Sequence, residues 1–262
     1  MESSSSQRVR RSSVFAFVGM LLVADSASAA GPWVDRSITL PRHDWAFNFG
    51  LGVAHIPQTM GPGINFEGSV GVTRHFELGF RSGLRFGRAG QGGDADLYGR
   101  PFDTETYGEG SDLLANPEFH LRGAVVSGDV IEVALEGRVY TPMSDGLGVM
   151  FGVPLALHVG RVARLDTGVY IPVLFYDPNT ETTVSFPFRL WLQPSDRFWF
   201  GPMAGVRFHN RNTSYTTVPV GVGLGYSGSR ALDFKTQFLW NDASHGASES
   251  WGFGAGIEVR IE

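Results

Sequence analysis

The chain contains no cysteine. That excludes a disulfide, a thiolate metal site and a cysteine nucleophile. It contains one lysine, Lys235, so the remaining basic residues are arginine. Charged residues make up 18% of the 262 and the net charge is -5, which leaves no basic footprint for nucleic acid. No apolar run reaches the roughly 18 residues of a helical membrane span. There is no H-E-x-x-H zinc motif and no Walker loop. Glycine is abundant instead, with 35 residues, and aromatics reach 13%.

The N-terminus has the order of an export signal. "MESSSSQRVRRSS" carries Arg8, Arg10 and Arg11, "VFAFVGMLLVA" is apolar, and Ala27 and Ala29 supply the small residues of a cleavage site. Residues 1–30 are therefore expected to be a cleaved signal peptide. The residues after Arg10-Arg11 fit a twin-arginine signal poorly, so the general secretion route is expected.

From Trp45 onward one design repeats. In "DWAFNFGLGVAH" the large apolar residues Trp45, Phe47, Phe49, Leu51 and Val53 alternate with Ala46, Asn48, Gly50, Gly52 and Ala54. Period two means a strand with one apolar face. Eleven further stretches follow the same rule: Ile64–Val72, Phe76–Phe86, Glu118–Val126, Ile131–Thr141, Leu147–Val159, Arg164–Tyr176, Thr183–Leu192, Phe198–Phe208, Thr217–Tyr226, Ala231–Trp240 and Trp251–Ile261. Each is close to the 9–11 residues that a tilted strand needs to cross a bilayer. Connections alternate between longer polar loops, such as Gly87–Pro117 and Asn241–Ser250, and tight turns, such as Thr73–His75 and Ser227–Arg230.

The two faces differ in charge. In this register the apolar face carries no charged residue or histidine, whereas the alternate face carries eight acids and nine bases. A Lys or Arg on a lipid face near the midplane costs roughly 2–4 kcal/mol, a penalty a soluble sheet does not meet. Aromatics fall in two bands. Trp45, Phe76, Trp191, Phe198 and Tyr226 are on the turn side, and Phe86, Phe175, Phe208, Tyr215, Trp240 and Trp251 on the loop side.

On these residues the chain resembles Gram-negative outer-membrane β-barrel proteins. The closing residues Gly256, Val259 and Ile261 match the spacing of such barrels' last strand, with Glu262 in place of a terminal aromatic. The resemblance implies an all-β fold: an antiparallel transmembrane β-barrel of about twelve strands. Its termini would be periplasmic, with residues 31–44 a periplasmic segment and 45–262 the barrel. It implies outer-membrane lipid and the barrel-insertion machinery as partners, and no cofactor.

The leading functional expectation is a porin-like channel for passive passage of small polar solutes. Its lumen would be lined by Glu67, Glu77, Arg81, Arg85, Glu118, Arg122, Glu132, Glu136, Arg138, Arg189 and Arg207. The long loop carries Asp94, Asp96, Asp103, Glu105 and Glu109, candidates for a constriction if it folds inward. The same charges can instead pair and close the barrel, which would then act as a structural, adhesive or receptor protein through its outer loops. A third reading is an enzyme acting on lipid or lipopolysaccharide, but the lipid-facing hydroxyls Ser82, Thr141, Thr167 and Thr236 share their face with no histidine, so no catalytic residue is assigned. Pro154, Pro172, Pro187, Pro202 and Pro219 interrupt five successive strands and predict a series of bulges.

Overall fold

The computed structural model describes residues 32–56, 59–86, 117–141, 147–175, 180–210, 214–244 and 250–262. The candidate constriction residues Asp94, Asp96, Asp103, Glu105 and Glu109 lie outside them, as does the Arg85 side chain.

The alternating stretches form β1 (Trp45–Ile56), β2 (Thr59–Thr73), β3 (Phe76–Arg85), β4 (Glu118–Ser127), β5 (Ile131–Tyr140) and β6 (Leu147–Val159). They continue as β7 (Ala163–Phe175), β8 (Thr180–Leu192), β9 (Phe198–Asn210), β10 (Ser214–Thr217), β11 (Val220–Ser229), β12 (Leu232–Trp240) and β13 (Trp251–Ile261). Every pairing is antiparallel. β1 pairs with both β2 and β13, from Trp45 opposite Ile261 to His55 opposite Trp251, so the sheet closes on itself. β10 and β11 both pair with β9 at one offset, Thr217 opposite Arg207 and Val220 opposite Ala204. They are two halves of a single stave parted at Val218-Pro219, and the barrel has twelve staves.

The prolines act differently from the expectation. The register shifts fall at Gly71/Thr73, Ala124/Val126 and Ser227/Ser229, all near tight turns, and none is at a proline. Where β5 meets β6 the ladder skips from Val133–Leu155 to Glu136–Gly152, passing Pro154, and then resumes at the same offset. It skips likewise past Pro172 and Pro187 between β7 and β8, and past Pro202 between β8 and β9. A proline removes one N–H from the ladder, but it inserts no residue, so the register survives. Pro154 sits opposite Gly168 and Pro187 opposite Gly205, and Gly205 N–H donates to Pro219 O at 2.9 Å. A Cβ on Gly168 would stand 2.6 Å from Val153 O, and its φ is 156°, so glycine is required beside the proline ring.

The outward face is apolar: Leu51 is 62% exposed, Leu135 54% and Phe151 66%. The inward face holds the charge, with Arg138 and Arg189 at 2% and 1%. A solvent-facing sheet would show the reverse, so lipid is the outer medium. Thr141, Thr167 and Thr236 face outward without leaving a hydroxyl idle. Their Oγ1 atoms donate to the carbonyls of Pro117 (3.0 Å), Pro187 (2.7 Å) and Gly254 (2.9 Å). Trp191 departs from the expected turn-side girdle. Its position on β8 turns it inward, where it is buried.

The segment expected to be periplasmic, residues 31–44, is described from Pro32 onward. Of its residues, Pro32 to Leu40 lie inside the wall at the turn-side mouth, opening with a single 3-10 turn, Trp33–Asp35, and bending at Ile38 and Thr39, while Pro41, Arg42 and His43 are exposed. Trp33, Val34, Ile38, Thr39 and Leu40 are all buried there. We call this run the strap.

Candidate functional site

The functional surface is the inner wall together with the strap. The staves bring Glu67, Glu77, Arg81, Glu118, Glu132, Glu136, Arg138, Arg189 and Arg207 to buried inward positions. Arg122 is inward and half-buried. Strand alternation puts them there, because each sits two or four residues from another inward side chain. They form clusters. Arg122 Nη2 lies 2.7 Å from Glu136 Oε2, while Arg138 Nε reaches Glu136 Oε1 at 2.6 Å and Arg138 Nη1 reaches Glu118 at 3.2 Å. On the facing sector Glu258 accepts from Lys235 and from Arg260, the latter at 2.6 Å. Arg164 pairs with Asp166 at 2.6 Å. Pairing of this kind is what allows so many charges to leave bulk water.

The strap ties these clusters together. Arg36 forms a two-pronged ion pair with Asp233, one prong measuring 3.1 Å, and lies 3.6 Å from Glu258. Trp33 stacks on Trp199 with centroids 4.2 Å apart and meets Trp191 edge-on at 5.3 Å. Arg164 sits 5.5 Å above the Trp33 ring. With Val34, Met203 and Leu239 the three tryptophans make a small apolar core inside the polar lumen. Ile38 packs in a second one, with Ala134 and Ala156.

The strap's main chain is held by wall side chains. Val34 N–H donates to Gln193 Oε1 at 3.0 Å, and His158 Nδ1 donates to Val34 O at 2.7 Å. Arg164 donates to Arg36 O. Ile38 N–H donates to Glu132 Oε2 at 2.7 Å and Arg122 Nη1 donates to Ile38 O at 2.9 Å. Leu40 N–H donates to Glu77 Oε2 at 2.9 Å. Glu77, Arg122 and Glu132 thus face inward, and they grip the strap. The sequence reading did not single out Asp233, Glu258, Trp191, Trp199 or Gln193 as strap contacts. The cue available to it was Trp33, Val34, Ile38 and Leu40, too apolar a set for a tail in water.

Beside the strap remains a cavity of ≈ 140 Å³, bordered by strap residues Arg36 to Leu40 and by Asn48, Glu67, Lys235 and Arg260 among others. Asn48 brings to it a buried carbonyl oxygen with no hydrogen-bond partner among the described residues.

One inner-wall cluster has the composition of a hydrolytic triad. Ser69 Oγ is 3.4 Å from His120 Nε2, and Glu77 Oε1 is 3.3 Å from that same nitrogen. A serine triad sets serine and carboxylate on opposite ring nitrogens. Glu77 is moreover engaged by Leu40 N–H.

Apolar exterior, charged interior and twelve closed staves define a transmembrane β-barrel of porin architecture. Among solved structures the chain is similar to the NanC porin, with a TM-score of 0.59 at 8% identity over 82% of this chain and 100% of that one. It is also similar to the KdgM porin (0.55, 7% identity, 83% and 99%) and to a COG4313 outer membrane channel from Pseudomonas putida F1 (0.52, 8% identity, 88% and 99%). At such identities the likeness is one of fold. No family model and no curated protein sequence matches the chain.

Proposed function

We propose that the protein is a narrow, passive channel for small polar solutes in the outer membrane of a Gram-negative bacterium. The carrying observation is the inner wall, where side chains of both signs from six of the twelve staves border a polar cavity that remains beside the strap. Facing charges of opposite sign set up a transverse field that orients a dipolar solute as it passes. The structural neighbours described as porins and as an outer membrane channel support this reading. The strap, which crosses the turn-side mouth, sets the size limit there in this reading. In this reading the cleaved signal peptide delivers the chain to the periplasm, the barrel-insertion machinery places it, and outer-membrane lipid is its permanent partner.

The strap also favours a second reading, a closed barrel acting through its outer loops. Planar-bilayer recording of the purified full-length mature protein separates the two. The channel reading expects discrete small steps in the wild type and larger or more frequent steps in Trp33→Ala. Silence in both proteins, with heat-modifiable migration showing that both are folded, would leave the closed barrel standing.

A further inference from the structure

We propose that the seat of residues 33–40 is a binding groove for short peptides, and that the strap is its resident occupant. The proposal deepens the channel reading, which gives the groove an aqueous approach from the turn side.

The argument starts from what holds the strap. Closure pairs every stave with two neighbours, so beside the strap no free edge remains among the described residues to which a segment in the lumen could add as a strand. A buried main chain must still satisfy its N–H and C=O groups. Here side chains do that work, and they do it with a period of two. Gln193 and His158 take the N–H and C=O of Val34, Arg164 takes the C=O of Arg36, Glu132 and Arg122 take those of Ile38, and Glu77 takes the N–H of Leu40. Carboxylates and an amide meet the N–H groups, while guanidinium and imidazole groups meet the carbonyls. A peptide without proline at the contacted positions that follows the same course, a 3-10 turn and then the bend at Ile38 and Thr39, presents the same groups at the same places. No backbone ladder ties residues 33–40 down, and the strap joins one only beyond them, where His43 N–H donates to Gly71 O at 2.8 Å, so an incoming peptide has to displace a tethered competitor held by side chains.

Two pockets add selectivity. Trp191 and Trp199 clasp the Trp33 ring, so the groove takes an aromatic side chain there. Asp233 and Glu258 hold Arg36, so three residues further on it takes a cation. The ≈ 140 Å³ cavity borders Ser37 and Thr39, where larger side chains than these two would find room. The ligand class is a peptide of about eight residues with an aromatic and a basic side chain three apart.

The probe is the capped octapeptide WVDRSITL, the sequence of residues 33–40, carrying a fluorescent label at its C-terminus. Its anisotropy is read with full-length protein in detergent micelles. The strap of the Trp33→Ala/Arg36→Ala variant has lost both side-chain anchors, and heat-modifiable migration reports whether that variant is folded. If it is not, Arg36→Ala alone serves. The variant is expected to bind the peptide saturably and at least tenfold more tightly than the wild type, whose groove is occupied. Methylating the peptide nitrogens that correspond to Ile38 and Leu40 removes the donors to Glu132 and Glu77 and is expected to weaken binding at least tenfold. Equal binding by the methylated peptide would overturn main-chain recognition. Equal binding to wild type and variant, or none to either, would overturn the groove itself. Conductance is read separately. A variant that binds the peptide but never conducts refutes the channel and leaves the groove.

Discussion

Replacing Trp33 with alanine should release the strap, and the release can be timed. In the seated state the indole is buried, stacked on Trp199 at 4.2 Å, edge-on to Trp191 at 5.3 Å and capped by Arg164. Truncating a buried tryptophan to alanine costs about 3–5 kcal/mol, of which each aromatic pair accounts for roughly 0.5–1.5 kcal/mol. The cost falls on the seated state alone, because an unseated strap has its indole in water in either case. At roughly 1.4 kcal/mol per factor of ten, the unseated population should rise by about two orders of magnitude or more. The absence of cysteine supplies the assay. Thr39 is buried in the seat and larger than cysteine by a methyl group, so Thr39→Cys fits there and creates a single thiol that reacts only when the strap leaves. Labelling by a small maleimide from the turn side should be slow in the Thr39→Cys protein. Adding Trp33→Ala should accelerate it about a hundredfold, and Trp33→Phe much less, since a phenyl ring keeps part of the stack. An acceleration below threefold for the alanine variant would mean that the tryptophans do not hold the strap.

Three further outcomes follow from the same geometry. Arg36→Ala leaves Asp233 buried without its two-pronged partner, which should cost about 3–5 kcal/mol of strap seating; adding Asp233→Asn should recover part of the loss in the same labelling assay, and a further loss would contradict the pairing. Phe151→Arg puts a cation on the lipid face in a stave whose alternation is otherwise regular, and it should lower the folding free energy in urea titrations by roughly 2–4 kcal/mol if the residue lies at midplane depth. Asp44, just before β1, has its carboxyl raised above the ordinary value by burial and then by the neighbouring Glu262, against smaller opposing effects of Arg260 and His43. A raised acid favours the folded state while protonated, and that contribution is lost as pH rises through the raised value. Asp44→Asn should therefore equal or exceed the wild type in urea midpoint at pH 7 and match it below the carboxylate range; a less stable variant at pH 7 would reverse the assignment.

The staves were legible because two constraints act on each of them at once. A strand must alternate, and the lipid rejects charge, so Glu67, Arg122 or Arg138 could face only one way. The break within one stave was less legible. Val218-Pro219 reads as strand by apolarity, and only the lost N–H parts β10 from β11. The prolines misled for a related reason. Proline implies a lost hydrogen bond, but a bulge also needs an inserted residue, and the ladder shows none. The strap was hidden because its partners are remote. Arg36 meets Asp233, and Val34 meets Gln193 and His158, so no local period encodes the contacts. Ser69, His120 and Glu77 likewise became a cluster only when three staves placed them side by side.

Closure of the barrel by β1 and β13 also fixes an order of events. The strap is the first of the described segments in sequence, yet its anchors run from β3 to β13, and those of Trp33 and Arg36 belong to β8, β9, β12 and β13. It cannot settle until the last stave exists, and contacts of such sequence separation form late. Once β1 has zipped to β13, the strap's one way in is lengthwise through the mouth. An unseated strap during insertion leaves that mouth unobstructed, with Asp233 and Glu258 facing Lys235 and Arg260 alone. The first described residues are thus the last to find their place, and the turn-side mouth stands open until they do.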